Sequence, residues 1–212
     1  MLTTSRLATP ALLLLSLPVL LISALVLASV ISGAGNAINE PADVLRHASY
    51  PLSLTTHILG GMAMLTLGLL QITPAIRHRF PRWHRWAGRA LVAWGTGIAL
   101  TSLVMNASAK AMPDSLAHNL AQNLAAVGLI VCLAAGVIAI RRRSIARHRV
   151  WMVRAYALAF GAATQTLLLF PVFLLSGVPT GPVADTVFVG AWVINLIVAE
   201  AVLRRPVKGL PQ

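Results

Sequence analysis

The sequence predicts an all-α integral membrane protein with six transmembrane helices. Of the 212 residues, 58% are hydrophobic and only 10% are charged, and the apolar residues fall in six long runs. Soluble domains have about a quarter of their residues charged, so the mean hydropathy of +0.80 excludes an ordinary soluble protein. We expect residues 1–212 to form a single membrane domain.

Each apolar run is long enough to cross a bilayer, because a helix of about 20 apolar residues spans a hydrocarbon core of about 30 Å. The first run follows Arg6. It exceeds the apolar core of a signal peptide, which is about 7–15 residues, so we interpret it as an uncleaved helix. The predicted spans, numbered one to six, cover residues 11–32, 52–73, 86–107, 117–140, 151–175 and 184–203.

Proline and capping residues support several of these boundaries. Pro51 suits the first turn of span two, because proline is favoured at the first helical position. Either Asp114 or Ser115, directly after Pro113, is a ready N-cap for span four. Pro171 lies late in span five and is expected to kink or end it.

The basic residues predict the orientation of the chain. Two basic segments, residues 77–89 and 141–154, connect spans two to three and spans four to five; we call them the hinges, and their side of the membrane the hinge side. With the N-terminus on the hinge side, that side holds fifteen of the seventeen lysines and arginines, and the opposite, outer side holds four of the five acids. Cytoplasmic segments carry an excess of lysine and arginine. This pattern predicts that both termini lie in the cytoplasm.

The same basic residues predict the partners of the chain. Positive charge beside a membrane span attracts anionic lipid headgroups, so we expect the hinges to contact them. A surface that binds nucleic acid would need a soluble basic domain to carry it. The basic residues of this chain lie between membrane spans, so we expect no nucleic acid partner.

Four histidines at the ends of spans indicate an internal repeat. His57 and His118 lie at the outer ends of spans two and four, and His84 and His148 lie at the hinge-side ends of spans three and five. Two hairpins inserted in the same sense can be related by an axis along the membrane normal. Spans two to five are therefore predicted to form a four-helix core of two repeated hairpins, with spans one and six packed outside it.

Histidines paired at matched depth are typical of haem ligation by two imidazoles. The pattern predicts haem b, with His84 and His148 as one pair of iron ligands and His57 and His118 as a second, outer pair. Glycines follow both His57 and His84 at steps of four and eleven residues, on nearly the same helix face. Such glycines would admit the face of a porphyrin.

Two arginines one to two turns into spans three and five, Arg89 and Arg154, are placed to pair with haem propionates. Glu200 is the single acid inside a span, at a depth shared with these arginines. It predicts either a structural ion pair with one of them or a carboxylate of a proton relay or quinone site. No serine or cysteine has a recognisable base and acid partner, so nothing indicates a hydrolytic or nucleophilic site. Whether the protein is an enzyme stays open.

A haem-free protein explains the same residues differently. Glycines at this spacing also let membrane helices pack closely, and histidines beside arginine and tryptophan also anchor helices at the headgroup level. The alternative is a membrane scaffold, or a protein that binds lipid or a small solute, in which four hinge arginines contact anionic headgroups: Arg82, Arg85, Arg147 and Arg149.

Four motifs resemble a bacterial family of predicted multi-pass membrane proteins, domain of unknown function 2306. They are HILGG at 57–61 leading to Gln71, RWHRWAGR at 82–89, ARHRVWMVRAYAL at 146–158 and NLIVAE at 195–200. Together they cover about residues 52 to 205. The resemblance implies a protein of the bacterial inner membrane and no particular reaction. It singles out three of the four histidines and leaves His118 outside the family pattern.

The layout of helices and histidines is also similar to the ascorbate-reducible transmembrane b-type cytochromes. In those proteins the second and fourth helices ligate one haem and the third and fifth ligate the other. The second-helix histidine of those cytochromes lies toward the cytoplasm, whereas His57 is predicted to lie outside. This likeness implies an electron carrier that exchanges electrons with a redox partner or a quinone.

Overall fold

The computed structural model describes residues 3–32, 51–108, 116–177 and 181–204, and helices make up nearly all of these residues, with no strand among them. In chain order the described helices are α1 (Thr3–Ser32), α2 (Pro51–Ile72), α3 (Pro74–Arg79), α4 (Pro81–Ser108), α5 (Leu116–Arg141), α6 (Ile145–Ala159), α7 (Gly161–Ser176) and α8 (Gly181–Arg204).

Six segments of these helices are long and apolar enough to cross a membrane, which confirms the predicted all-α fold. They are Leu12–Ser32, Pro51–Ile72, Pro81–Ala107, Leu116–Arg141, Ile145–Leu175 and Gly181–Arg204. Spans three and five begin five or six residues earlier than the sequence suggested. The first turns of these helices can include basic residues because a long arginine side chain can extend toward water from a helical backbone.

The two hinges turn the chain by different means. The first contains the short helix α3, and both α3 and α4 begin with a proline, Pro74 and Pro81, whose missing N–H is not needed in the first turn. The second is a tight turn with Arg143 in the left-handed region at φ 58°. There the N–H of Ser144 donates to the carbonyl of Ala139 at 2.9 Å. This hydrogen bond is typical of helices that end with a residue in the left-handed conformation.

Spans two to five form a closed ring of four helices. Span two packs on span three, three on four, four on five, and α6 packs back on span two. Span one packs on span two and α7, and span six packs on spans four and five. The four-helix core with spans one and six outside is thus confirmed, and spans three, four and five share a buried cluster formed by Ala99, Ala126, Leu129, Cys132, Leu133 and Ala155.

Span five is interrupted at Phe160, halfway along its length. There α6 ends at Ala159 and α7 begins at Gly161, and Phe160 has φ −77° and ψ −1°. The sequence placed a kink or an end at Pro171, but α7 continues past that proline to Ser176. The expected end of the helix at Pro171 is therefore wrong.

Side chains of span six satisfy the backbone around this interruption. The indole Nε1 of Trp192 donates to the carbonyl of Leu158 at 3.2 Å, and the Nδ2 of Asn195 donates to the carbonyl of Ala157 at 3.1 Å. The hydroxyl of Thr164 donates to the Oδ1 of Asn195 at 2.8 Å. A membrane interior offers no water to free carbonyls, so these three hydrogen bonds stabilise the interrupted helix. We call them the bracket.

Candidate functional site

His84 lies at the hinge-side end of the four-helix core, in the first turn of α4. Its Nδ1 is buried and has no hydrogen-bond partner among the described residues. His148 and the guanidinium groups of Arg77 and Arg85 are all close enough to interact with this imidazole electrostatically. A buried imidazole nitrogen without a partner is costly, which marks this position as a place where a ligand could be bound.

His148 occupies the matching position in the first turn of α6. Its Nδ1 lies 2.9 Å from the carbonyl oxygen of Gly136, and since a carbonyl can only accept, Nδ1 carries the proton. In the neutral ring the lone pair is then on Nε2, the arrangement commonly seen in metal-binding histidines whose other nitrogen is held by a carbonyl. The structure thus brings the two hinge-side histidines to the same end of the core.

The two outer histidines have partners on different helices. The Nδ1 of His57 lies 3.2 Å from the carbonyl oxygen of Ile98 and 3.4 Å from the hydroxyl of Thr101, both on span three. His118 lies 3.6 Å from a carboxylate oxygen of Asp185 on span six, and its ring lies 4.6 Å from that of Phe188. His57 therefore contacts span three, whereas His118 contacts span six.

The two arginines expected to hold propionates differ in their contacts. Arg89 is exposed, and its guanidinium lies 5.0 Å from the centre of the Trp86 ring. Arg154 donates from Nε to Glu200 at 2.6 Å and from Nη2 to the other carboxylate oxygen at 3.2 Å. The predicted structural ion pair of Glu200 is confirmed, and a fork-to-carboxylate pair of this kind fixes both side chains.

Two of the four glycines expected to line a porphyrin face are packed tightly against side chains. A Cβ at Gly68 would meet the ring of Tyr156 at 2.5 Å, and one at Gly95 would meet Leu133 at 2.9 Å. The other two are not: nothing lies within 4 Å of the Cβ position at Gly61, and at Gly88 the nearest atom is the Oε1 of Gln71 at 3.7 Å. In the part of the chain that the structure describes, no three histidine, cysteine or acidic side chains converge as a metal site.

Exposed basic and aromatic side chains surround the hinge-side end of the core. Arg82, Arg85 and Arg147 are exposed, and Trp86 is exposed over 69% of its surface. An open recess of about 430 Å³ lies beside them, lined by the five residues 79–83. We call this surface, formed by residues 79–86 and 147–149, the hinge face.

The predicted motifs all lie in one continuous region of similarity. A family model described as "Predicted membrane protein (DUF2306)" matches residues 54–203 of the chain. The chain belongs to this family. Neither a curated protein nor a solved structure matches the chain. DUF2306 membership confirms the resemblance seen in the motifs, while the likeness to b-type cytochromes stays a prediction.

Sequence reasoning missed how span six completes the DUF2306 fold. Asn195 and Glu200 stand in one of the family motifs, yet the sequence did not show that Asn195 bonds the interrupted backbone of span five. The signal was present as polar side chains inside apolar spans, among them Thr164 and Gln165. Such residues must find partners in a membrane, but their partners cannot be read from spacing alone.

Proposed function

We propose that this DUF2306 protein is a binding protein of the bacterial inner membrane whose hinge face engages anionic lipid headgroups in the cytoplasmic leaflet. The observation that carries the proposal is the concentration of exposed arginine, tryptophan and phenylalanine on one end of the bundle. Both termini then lie in the cytoplasm.

The charge on the hinge face favours an anionic partner. Each lysine or arginine near an anionic membrane surface contributes about 1 kcal/mol of attraction, and tryptophan prefers the headgroup level. Glu200, the acid near this end of the bundle, is already paired with Arg154. The arginines of the hinge face therefore have their charge available for phosphate groups.

Thermal unfolding of the purified protein in neutral detergent tests this proposal. We expect added phosphatidylglycerol to raise Tm by about 5 °C through preferential binding to the folded state, and phosphatidylcholine to raise it much less. A variant with Arg82, Arg85, Arg147 and Arg149 replaced by glutamine should lose the difference between the two lipids.

The matched control removes positive charge from the other side of the protein. Replacing Arg46 and Lys110, which the sequence places on the outer side, should leave the response to phosphatidylglycerol intact. Equal Tm values with both lipids, or an unchanged response in the fourfold hinge variant, would overturn the proposal.

A second candidate function is electron transfer through haem b. It is favoured by the unpartnered Nδ1 of His84 close to His148, whose own Nδ1 is held by Gly136. These two histidines would hold the haem iron, and bound haem would supply one-electron chemistry with a quinone or another redox partner. Because Gly68 and Gly95 pack against the side chains of Tyr156 and Leu133, this candidate function requires a haem site near the hinge-side end of the core and not along the glycine faces predicted from sequence.

Absorbance separates the two candidates. Protein purified after expression with a haem precursor should show a Soret band that sharpens on reduction with dithionite, and His84→Ala and His148→Ala should each abolish it. His78→Ala is the control, because His78 is an exposed histidine of the same hinge. A colourless preparation rejects the haem function and leaves the lipid proposal untouched.

A further inference from the structure

The ion pair between Arg154 and Glu200 lies on the surface of the bundle, where spans five and six meet. The side chain of Arg154 is 31% exposed and that of Glu200 is 39% exposed. Glu200 stands four residues before Arg204, the exposed residue that ends α8 on the hinge side. The pair therefore faces the surrounding lipid close to the headgroups and is not enclosed within the four-helix core.

Both members of this pair have hydrogen-bonding capacity left over. Arg154 bonds Glu200 through Nε and Nη2, which leaves the Nη1 donors without a hydrogen bond to the described part of the chain. Each carboxylate oxygen of Glu200 accepts one of these bonds and retains a second lone pair. Donors and acceptors that face lipid are costly unless a polar group reaches them. A partner that both accepts and donates would therefore stabilise the pair.

The neighbours of Glu200 on span six give this surface a charged end and an apolar end. Arg204 lies one turn toward the hinge side and is close enough to interact with Glu200 electrostatically. Ile197 and Val193 lie about one and two turns the other way, and they are 63% and 49% exposed. Steps of four, three and four residues keep these four side chains on one helix face. A lipid can therefore lie along span six with its headgroup at Glu200 and an acyl chain over Ile197.

We infer that this surface, formed by Trp151, Arg154, Glu200 and Arg204, binds the headgroup of phosphatidylethanolamine. The lipid phosphate accepts from the free donors of Arg154 and Arg204, and its ammonium group donates to the carboxylate of Glu200. Trp151, whose ring centre lies 5.2 Å from the Arg154 guanidinium, is a residue type that prefers the headgroup level. The inference goes beyond the proposed function, since none of these four residues belongs to the hinge face.

Native mass spectrometry of the purified protein in neutral detergent tests the site. Phosphatidylethanolamine and phosphatidylcholine with the same acyl chains compete at equal concentration; both are zwitterionic, but only the first has N–H donors. We expect about tenfold more of the phosphatidylethanolamine adduct, the factor that one charge-assisted hydrogen bond provides. An excess of glycerophosphoethanolamine, the same headgroup without acyl chains, should not displace the lipid. Displacement by it would overturn the lipid assignment.

Matched variants locate the site. Glu200→Gln should make the two adducts equal, because it removes the carboxylate that receives the ammonium group, whereas Asp185→Asn, the same change near the outer end of span six, should preserve the preference. The fourfold hinge variant should also preserve it while losing its response to phosphatidylglycerol, so failure of one lipid proposal is distinguishable from failure of the other. A preference that survives Glu200→Gln, or equal adducts in the unmodified protein, would overturn the inference; the second result does not depend on whether Glu200→Gln folds.

Discussion

The bracket between spans five and six makes a sharp prediction for Gly161. A Cβ at this position would lie 2.2 Å from the Nε1 of Trp192 and 2.7 Å from its Cδ1. Gly161→Ala therefore forces the indole ring away from the backbone of α7. That movement also breaks the hydrogen bond from Trp192 to the carbonyl of Leu158.

The magnitude follows from three contributions. Overpacking costs about 1–3 kcal/mol, and loss of the indole hydrogen bond costs about 1 kcal/mol. Alanine is better than glycine in a helix by about 0.5–1 kcal/mol. We expect the free energy of unfolding to fall by about 2 kcal/mol, which corresponds to a fall in Tm of about 4–8 °C for a chain of this size.

Thermal unfolding in detergent, followed by tryptophan fluorescence and by retention of the monodisperse peak, measures this change. Gly190→Ala in α8 is the control, because nothing lies within 4 Å of its Cβ position; it should leave Tm unchanged or slightly higher. In a Trp192→Phe background, which lacks the Nε1 donor, Gly161→Ala should cost less. Equal Tm values for the two alanine variants, or costs that simply add in the double variant, would refute the bracket.

Three further predictions concern the ion pair, the packed core and the orientation. Glu200→Gln should lower Tm because it leaves the Arg154 guanidinium without its carboxylate. The double variant Arg154→Glu with Glu200→Arg, which exchanges the two charges, should recover part of the lost Tm. Gly68→Ala should lower the free energy of unfolding by about 1–3 kcal/mol through its clash with Tyr156, whereas Gly61→Ala should be tolerated. A C-terminal green fluorescent protein fusion should fluoresce and a C-terminal alkaline phosphatase fusion should be inactive if the C-terminus is cytoplasmic; the reverse pattern would reject the predicted orientation.

The sequence was sufficient to predict the spans and the core because their signals are strong and local. Six apolar runs meet a length requirement set by the bilayer, and the histidines at matched span ends predicted that spans two to five form the core. The pairing of Glu200 was also within reach, since an acid inside a membrane span needs a cation at the same depth. Arg154 meets that requirement through two hydrogen bonds.

The contacts of individual side chains could not be predicted in the same way. The sequence placed His118 at the depth of His57, but depth does not define the direction in which a ring points, and His118 contacts Asp185 on span six. The interruption at Phe160 carries no proline, and it depends on donors that lie more than 30 residues further along the chain. The short helix α3 was likewise hidden inside a run of basic residues.

Three glycines of the four-helix bundle mark positions where neighbouring helices approach closely. Tyr156 rests on Gly68, Leu133 fills the space at Gly95, and Met152 is pressed against Gly136. A larger side chain at any of these three positions would have to displace the side chain that now packs against the glycine. Close approach of this kind provides van der Waals contact, which holds membrane helices together where lipid removes the hydrophobic driving force between them.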